Sequence, residues 1–548
     1  MRRFLRPVIL SALALGAVLV IRAVSESRPG QAVRPAPPFD IVIVGGRVLD
    51  GMGNPWVRAD LGIRDGRIAA MGRLDGAAAT RTIDAADRYV VPGFIDVHSH
   101  GAEGLVRPGL QQGQPMLAQG VTTVVINPDG GGPTDLAAQR RRFEERGIGI
   151  NVAPLIGHAA VRSAVLGMTD RAPSADELDR MRELVRTAMR EGAFGLSSGL
   201  FYAPGSYAAT DEVIALARVA AEFGGVYTSH IRDESDYTVG VLAAIDEVIR
   251  IADEAGLRGI VSHMKMLGPA TWGLSAAAIR RIDDARARGV EVFADQYPYS
   301  ASSTSLTGAL VPRWAQVGGR DELLARLADG AVRPRILAEV TENIGRRGGA
   351  DTLQIAEYEP DQGLEGMNLA AVAARRGLTP AVAALDLIAA GDVSIVSFNM
   401  SEDDIERIMR QSYTMTCSDG GLGFATEGKP HPRNYGAFAR KLERYVGERG
   451  TIALEFAVRS MTSLPASVFG LADRGVLREG AWADVAVLDP TAVRERSTYE
   501  DPHHIAEGVD SVLVNGVVVL DLGRFDSALP GRVLSRIETD SSSAASLK

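Results

Sequence analysis

Two histidines one residue apart, His98-Ser99-His100, close the apolar run FIDV at 94–97. In extended backbone, alternate side chains fall on one side. Both imidazoles therefore face the same way, as two ligands of one metal ion must. Three more chemically competent residues end apolar runs in the same manner: His230 after VYTS, His263 after GIVS and Asp419 after YTMTCS. Imidazole nitrogen and carboxylate oxygen are donors of catalytic zinc sites, which keep one position open for water or substrate. A carboxylate beside such a metal can take a proton from water and hand it to a leaving nitrogen. One histidine at a strand end is an ordinary polar residue; four of them with an aspartate at matching places point to a hydrolytic metal centre. Of the six histidines between 98 and 431, only His431 is not at or just beyond the end of such a run. His158 ends VAPLIG and reads equally as a substrate contact or a core residue.

The elements that must carry these residues are legible around them. Eight short apolar runs lie at 94–98, 122–127, 152–157, 194–198, 226–230, 259–263, 290–295 and 413–419. Ala/Arg/Glu-rich stretches of helical period fill most of the gaps, as in SADELDRMRELVRTAMREG. Alternation of this kind predicts an α/β fold, a (β/α)8 TIM-like barrel over 93–464, in which the C-terminal strand ends converge on one face. Residues 305–390 form a long insertion without a recognisable motif, and VSIVSFN (393–399) is a further strand without a fixed place. On either side, 39–92 and 465–535 read as short strands with hairpin turns at Asp65-Gly66 and Asn515-Gly516, which predicts one small β-sandwich built from both ends of the chain. At the N-terminus, Arg2, Arg3 and Arg6 precede an uncharged apolar run from Val8 to Ile21. Residues 1–27 thus read as a secretory signal peptide or an uncleaved membrane anchor, followed by a linker at 28–38; residues 536–548 read as a tail. An exported protein is expected, periplasmic or anchored with the barrel outside the cytoplasm.

Composition narrows the partners. The chain has 548 residues and a net charge of -9, without a basic stripe, which argues against nucleic-acid binding. A single cysteine, Cys417, rules out an intramolecular disulfide or a cysteine zinc finger and reads as strand packing. Of 59 basic residues only four are lysine: Lys265, Lys429, Lys441 and Lys548. A lysine inside a motif is therefore informative, and Lys265 lies two residues past His263, on the same side of its strand. Lys265, Tyr297 and Arg433 arriving at one barrel mouth would suit a carboxylate.

The stretches VVPGFIDVHSH, QGVTTVV, GAFGLSSGLFYAPGSYA, SHIRDES, SHMK, DQYPYSASST and SDG, the last followed by KPHPRNYGAFARKL, resemble the amidohydrolase superfamily and, within it, the N-acyl-D-amino-acid deacylases (D-aminoacylases). This resemblance implies zinc-dependent hydrolysis of the amide bond of N-acyl amino acids, of the D series, with a small-molecule substrate. It implies His230 and His263 as ligands of a tightly bound zinc and His98 and His100 at a second, weaker position, so one or two ions in all. It further implies Asp419 as general base and acid, and Lys265, Tyr297, Ser303 and Arg433 around the substrate α-carboxylate. The family's metal-ligating cysteine falls here at Asn127-Pro128-Asp129-Gly130, where Asp129 takes its place, either as an oxygen ligand or as part of a turn. A carboxylated lysine bridge is not expected, because no lysine precedes Lys265. Arg232 and Glu234 are candidates to support the ligand histidines. His431 is expected to hold the Pro-His-Pro-Arg loop, and His503 and His504 to lie exposed, away from the mouth. Two alternatives stay open: a dipeptidase or cyclic-amide hydrolase on the same metal site, and a tethered binding protein without catalysis.

Overall fold

The computed structural model describes residues 39–536. The signal or anchor, the linker and the tail beyond 536 lie outside them. Among the described residues no helix is long and apolar enough to cross a membrane.

Eight parallel strands form the barrel: Phe94–Asp96, Val121–Ile126, Asn151–Pro154, Gly195–Gly199, Val226–His230, Arg258–Val261, Val292–Gln296 and Thr414–Thr416. Neighbours pair in sequence order, for instance Thr123 with Asn151, Ser197 with Thr228 and Gln296 with Thr416. Between the third and fourth strands the short pair Ile156–Gly157 continues the ladder onto Leu196 and Ser197. Closure comes from Gly420–Gly421 running parallel to Ser99–His100, with the Asp419 amide donating to the His98 carbonyl at 2.9 Å. The Asp96 carboxylate fastens the same seam, accepting from the Ser418 amide at 2.8 Å and the Ser418 hydroxyl at 2.5 Å. Burial pushes Asp96 up to about 6 despite these bonds.

The strands read as near-continuous apolar runs because helices cover their outer faces and side chains fill the interior. All six residues of Val121–Ile126 are buried. Outside, Ala175–Arg190 starts with a capping box in which Ser174 and Glu177 satisfy each other's amides, and it turns Met181, Val185, Ala188 and Met189 inward. Val241–Ala255 ends on Gly256 in the left-handed conformation that terminates helices.

Strands from both chain ends form one nine-stranded sheet. They meet where Tyr89–Pro92 pairs antiparallel with Val485–Leu488, around a core that includes Ile41, Ile63, Val487 and Leu513. The two hairpin tips touch: a Cβ on Gly66, at φ 74°, would come within 2.8 Å of the Asn515 carbonyl, so only glycine fits there. Between the seventh and eighth barrel strands the chain builds a lobe with its own core, among them Leu306, Ile336, Ile355 and Ile395. Its sheet has Ser394–Ser397 in the middle, antiparallel to both Ser302–Ser305 and Leu353–Glu357. VSIVSFN thus belongs to the insertion and not to the barrel.

Candidate metal centre

Six side chains from five strand ends converge at the barrel mouth. Donor atoms of His98, His100, Asp129 and Asp419 lie within 4.8 Å of one another, as do those of Asp129, His230 and His263. Asp129 belongs to both groups and so occupies the bridging position. Its Oδ1 is 3.3 Å from His98 Nε2, 3.5 Å from His263 Nε2 and 3.9 Å from His230 Nδ1, while its Oδ2 is 3.4 Å from His100 Nε2. Asp419 Oδ1 is 3.1 Å from His100 Nε2 and 3.5 Å from His98 Nε2. The Asp129 loop is therefore a turn and also a donor: Asn127 and Asp129 sit at φ 61° and 56°, and the Asn127 amide is fixed by Gln139 and the Leu155 carbonyl. His263 and Asp419 also adopt positive φ, at 35° and 50°. Each such residue costs of order 1–3 kcal/mol, a strain that clusters at functional sites where the surroundings impose it.

The donor set fits a metal ion. His98 Nε2 and Asp129 Oδ1, both turned into the cluster, are buried and have no hydrogen-bond partner. Buried polar atoms left this way cost about 1–3 kcal/mol each, and a cation accepting their lone pairs removes that cost. Charge states differ around the cluster: burial pushes His230 down to about 3, keeping its imidazole neutral and able to ligate, whereas for His263 burial and Lys265 oppose the charge but Asp419, Glu234 and Asp129 raise it to about 10. Burial opposes the charge on Asp129, but His98, His100 and His263 outweigh it and hold the carboxyl well below its ordinary range. Burial likewise opposes charging of His100, yet hydrogen bonds to Asp129 and Asp419 raise it to about 9.

Behind the histidines, Glu234 turned out to be the organising partner. Its Oε1 is 3.0 Å from His263 Nδ1 and 2.5 Å from Lys265 Nζ, and its Oε2 is 3.8 Å from His230 Nε2. Arg232, expected beside it, instead pairs with Glu247 and the Ser206 and Ala208 carbonyls. On the other flank Arg433 Nη1 meets Asp419 Oδ2 at 2.7 Å, its Nη2 is 3.5 Å from the Ser303 carbonyl, and its guanidinium stacks on Tyr297 at 4.8 Å. Against burial, Arg433 and the histidines keep Asp419 ionised, well below the usual carboxylate range. Lys265, Tyr297, Ser303 and Arg433 all line one cavity of about 440 Å³ together with the cluster. The Tyr297 hydroxyl itself points to Met400 Sδ at 3.7 Å.

The remaining histidines divide. His431 bonds the Ala301 carbonyl at 3.0 Å and accepts from the Arg433 amide, so it does hold the Pro-His-Pro-Arg loop. His158 is tied into a buried group with Glu212, which also holds Arg162, and does not line the cavity. His503 is half-buried and not exposed: it reaches the Tyr435 hydroxyl at 2.7 Å and the Gly428 carbonyl at 2.9 Å, staking the same loop from outside. No local pattern in the sequence signals that contact, because 75 residues separate the partners. Cys417 is buried, its thiol pushed well above its ordinary value, as strand packing requires.

Comparison with known proteins agrees with this arrangement. The model of the amidohydrolase family matches residues 81–520. An N-acyl-D-glutamate deacylase of Alcaligenes xylosoxydans xylosoxydans is 40% identical, over 91% of this chain and 97% of the relative; a D-aminoacylase of the same organism is 36% identical, over 91% and 98%. The crystal structure of N-acyl-D-glutamate deacylase from Bordetella bronchiseptica, in complex with zinc and a phosphonate mimic of the tetrahedral intermediate, superposes with a TM-score of 0.78 at 38% identity, covering 91% of this chain and all of that one. The chain belongs to the amidohydrolase family, among its N-acyl-D-amino-acid deacylases.

Proposed function

We propose that this protein hydrolyses the amide bond of N-acyl-D-amino acids with zinc as its metal, releasing a carboxylate and the free amino acid. The observation that carries the reading is the pair of donor groups sharing Asp129, with Asp419 and two cations at their edge. His230, His263 and Asp129 would hold one ion, and His98 and His100 with the same Asp129 a second, weaker one. When bound, zinc supplies Lewis acidity, polarising an acyl carbonyl and making nearby water more acidic. The chain's own residues do the rest. Arg433 engages Asp419 Oδ2 and so leaves Oδ1 turned toward the histidines. From there Asp419 takes one proton from water as its oxygen bonds the acyl carbon, and delivers that proton to the nitrogen as the carbon–nitrogen bond breaks. Arg433, Ser303, Tyr297 and Lys265, whose Nζ lies 5.5 Å over the Tyr297 ring, form the wall against which the α-carboxylate is held.

The names of the relatives support the substrate class, and the cavity's size suits one small molecule. Kinetics on N-acetyl-D- and N-acetyl-L-amino acids, dipeptides and hydantoins test it, with zinc content measured on the same samples. Preference for the N-acetyl-D series, lost on chelation and restored by zinc, is expected; preference for dipeptides or cyclic amides would overturn it. The basic-then-apolar segment at 1–27 supports a location outside the cytoplasm, which fractionation of cells producing the full chain checks.

A further inference from the structure

A second cavity, of about 490 Å³, shares Phe201 as a wall with the cavity at the metal cluster. Leu200, Val239, Val311 and Trp314 give it apolar sides. Six charged side chains also line it, and four of them are paired: Arg232 with Glu247, Arg346 with Asp236 and Glu342, and Glu339 with Arg335. The other two, Arg313 and Asp170, form no ion pair among the described residues, with each other or with any other group. Arg313 is engaged through one nitrogen: Nη1 donates to the Gly308 and Val311 carbonyls at 3.0 and 3.2 Å, while the guanidinium lies 4.0 Å over the Phe201 ring. Its Nε and Nη2 have no partner among the described residues, and neither is sealed from solvent. Burial pushes Arg313 down to about 10, against the influence of Tyr237 and Tyr202, so it stays charged at neutral pH.

Asp170 is fixed in place without being neutralised. The buried Arg162, itself paired with Glu212, donates through Nη2 to the carbonyls on either side of it, those of Thr169 at 3.3 Å and Arg171 at 2.6 Å. The Asp170 carboxylate is left exposed at the cavity. Asp170 and Arg313 are the two charges that act most strongly on the Tyr207 hydroxyl, which donates to the Arg313 carbonyl at 3.0 Å. Both signs of charge therefore act at one part of the wall. An unpaired cation and an unpaired anion beside an apolar surface suit a ligand with both charges and an apolar body. A free α-amino acid is such a molecule, its carboxylate and ammonium ionised together at neutral pH. An N-acyl amino acid is not, because its nitrogen carries no charge. We propose that this second cavity binds a free α-amino acid with an apolar side chain, its carboxylate on Arg313 and its ammonium on Asp170. That ligand belongs to the class that the proposed hydrolysis releases, so its role as product rests on that reading, whereas its binding does not.

Isothermal titration of the zinc-loaded protein with D-leucine, D-leucinamide and 4-methylpentanoate at neutral pH tests this, in wild type, Asp170→Asn and Arg313→Met. The amide keeps the ammonium without the carboxylate, and 4-methylpentanoate the carboxylate without the ammonium. D-leucine should bind wild type at least about 10-fold more tightly than either analogue. Asp170→Asn should weaken D-leucine by about 10- to 100-fold and leave 4-methylpentanoate within about threefold. Arg313→Met should weaken D-leucine similarly and spare the amide; Asp170 is exposed, so its variant reads the site even where loss of Arg313 disturbs the Phe201 wall. Because Asp170 does not line the cavity at the metal cluster, turnover of N-acetyl-D-leucine by Asp170→Asn should stay within about threefold of wild type. No binding of D-leucine by wild type, binding that Asp170→Asn leaves unchanged, or a parallel loss of turnover in that variant overturns the second site. Absence of turnover by wild type on every N-acyl-D-amino acid overturns the proposed hydrolysis instead, and the titration then decides the site by itself.

Discussion

Lys441 offers a perturbation whose size follows from the structure. It opens the π-helical turn Lys441–Glu448, is 2% exposed, and donates to the Thr416 and Ser460 hydroxyls at 2.6 and 2.8 Å behind the eighth barrel strand. Among the described residues Cys417 is the only titratable neighbour that acts on it, and burial keeps that thiol neutral. Burial pushes Lys441 from 10.5 down to about 7. A depressed lysine means that the unfolded chain binds the proton more readily between pH 7 and 10.5. Stability on this account rises with pH through that window, and the full penalty is present below it. At 1.36 kcal/mol per unit, the penalty is about 5 kcal/mol below pH 6 and about 2 kcal/mol at pH 9. Lys441→Met removes it at a cost of about 1 kcal/mol in hydrogen bonds. Ser460 keeps its own bond to the Ala457 carbonyl. An unfolding entropy near 2.1 cal/mol/K per residue makes 1 kcal/mol worth about 1 °C in a chain of this size. The variant should therefore melt about 4 °C above wild type at pH 6 and about 1 °C above it at pH 9, both zinc-loaded and measured by scanning calorimetry. A Tm difference that does not change with pH, or a variant destabilised throughout, would refute the argument.

Three further outcomes follow from the site. Glu234→Gln strips the shared partner of His230, His263 and Lys265; stability should fall by about 3–5 kcal/mol and zinc affinity by 10- to 100-fold, read by calorimetry and chelator competition. Asp129→Ala should lower zinc stoichiometry because both donor groups lose a member, whereas Asp129→Cys should keep at least one ion per chain, as elemental analysis would show. Arg433→Lys keeps the charge and loses the fork, so KM for N-acetyl-D-amino acids should rise about 10- to 100-fold with intact fold by circular dichroism.

Strand ends, hairpins and the His98/His100 pair were legible in the sequence because period, turn chemistry and donor type act over a few residues. Glycine and asparagine at 515–516 specify their turn wherever they stand. By contrast, the partners of Glu234 and Arg433 depend on which strand ends adjoin once the barrel closes, through contacts such as Ser418 to Asp96 across 322 residues. Glu234 reads in the sequence only as a possible support of the ligand histidines, because its place between His230, His263 and Lys265 exists only in three dimensions. VSIVSFN had a clear strand pattern, but which sheet it joined was decided by the separate core of the inserted lobe. His503 failed for the opposite reason, since a histidine in a polar stretch carries no sign of the loop that packs on it.

In the proposed mechanism Asp419 moves the proton while Asp129 and the histidines hold the metal. Single-turnover hydrolysis of an N-acetyl-D-amino acid by Asp419→Asn, with zinc counted on the same sample, tests it most directly. The account predicts a rate lowered by about 10²- to 10⁴-fold with at least one zinc retained at His230, His263 and Asp129. Activity near wild type with zinc bound would contradict it.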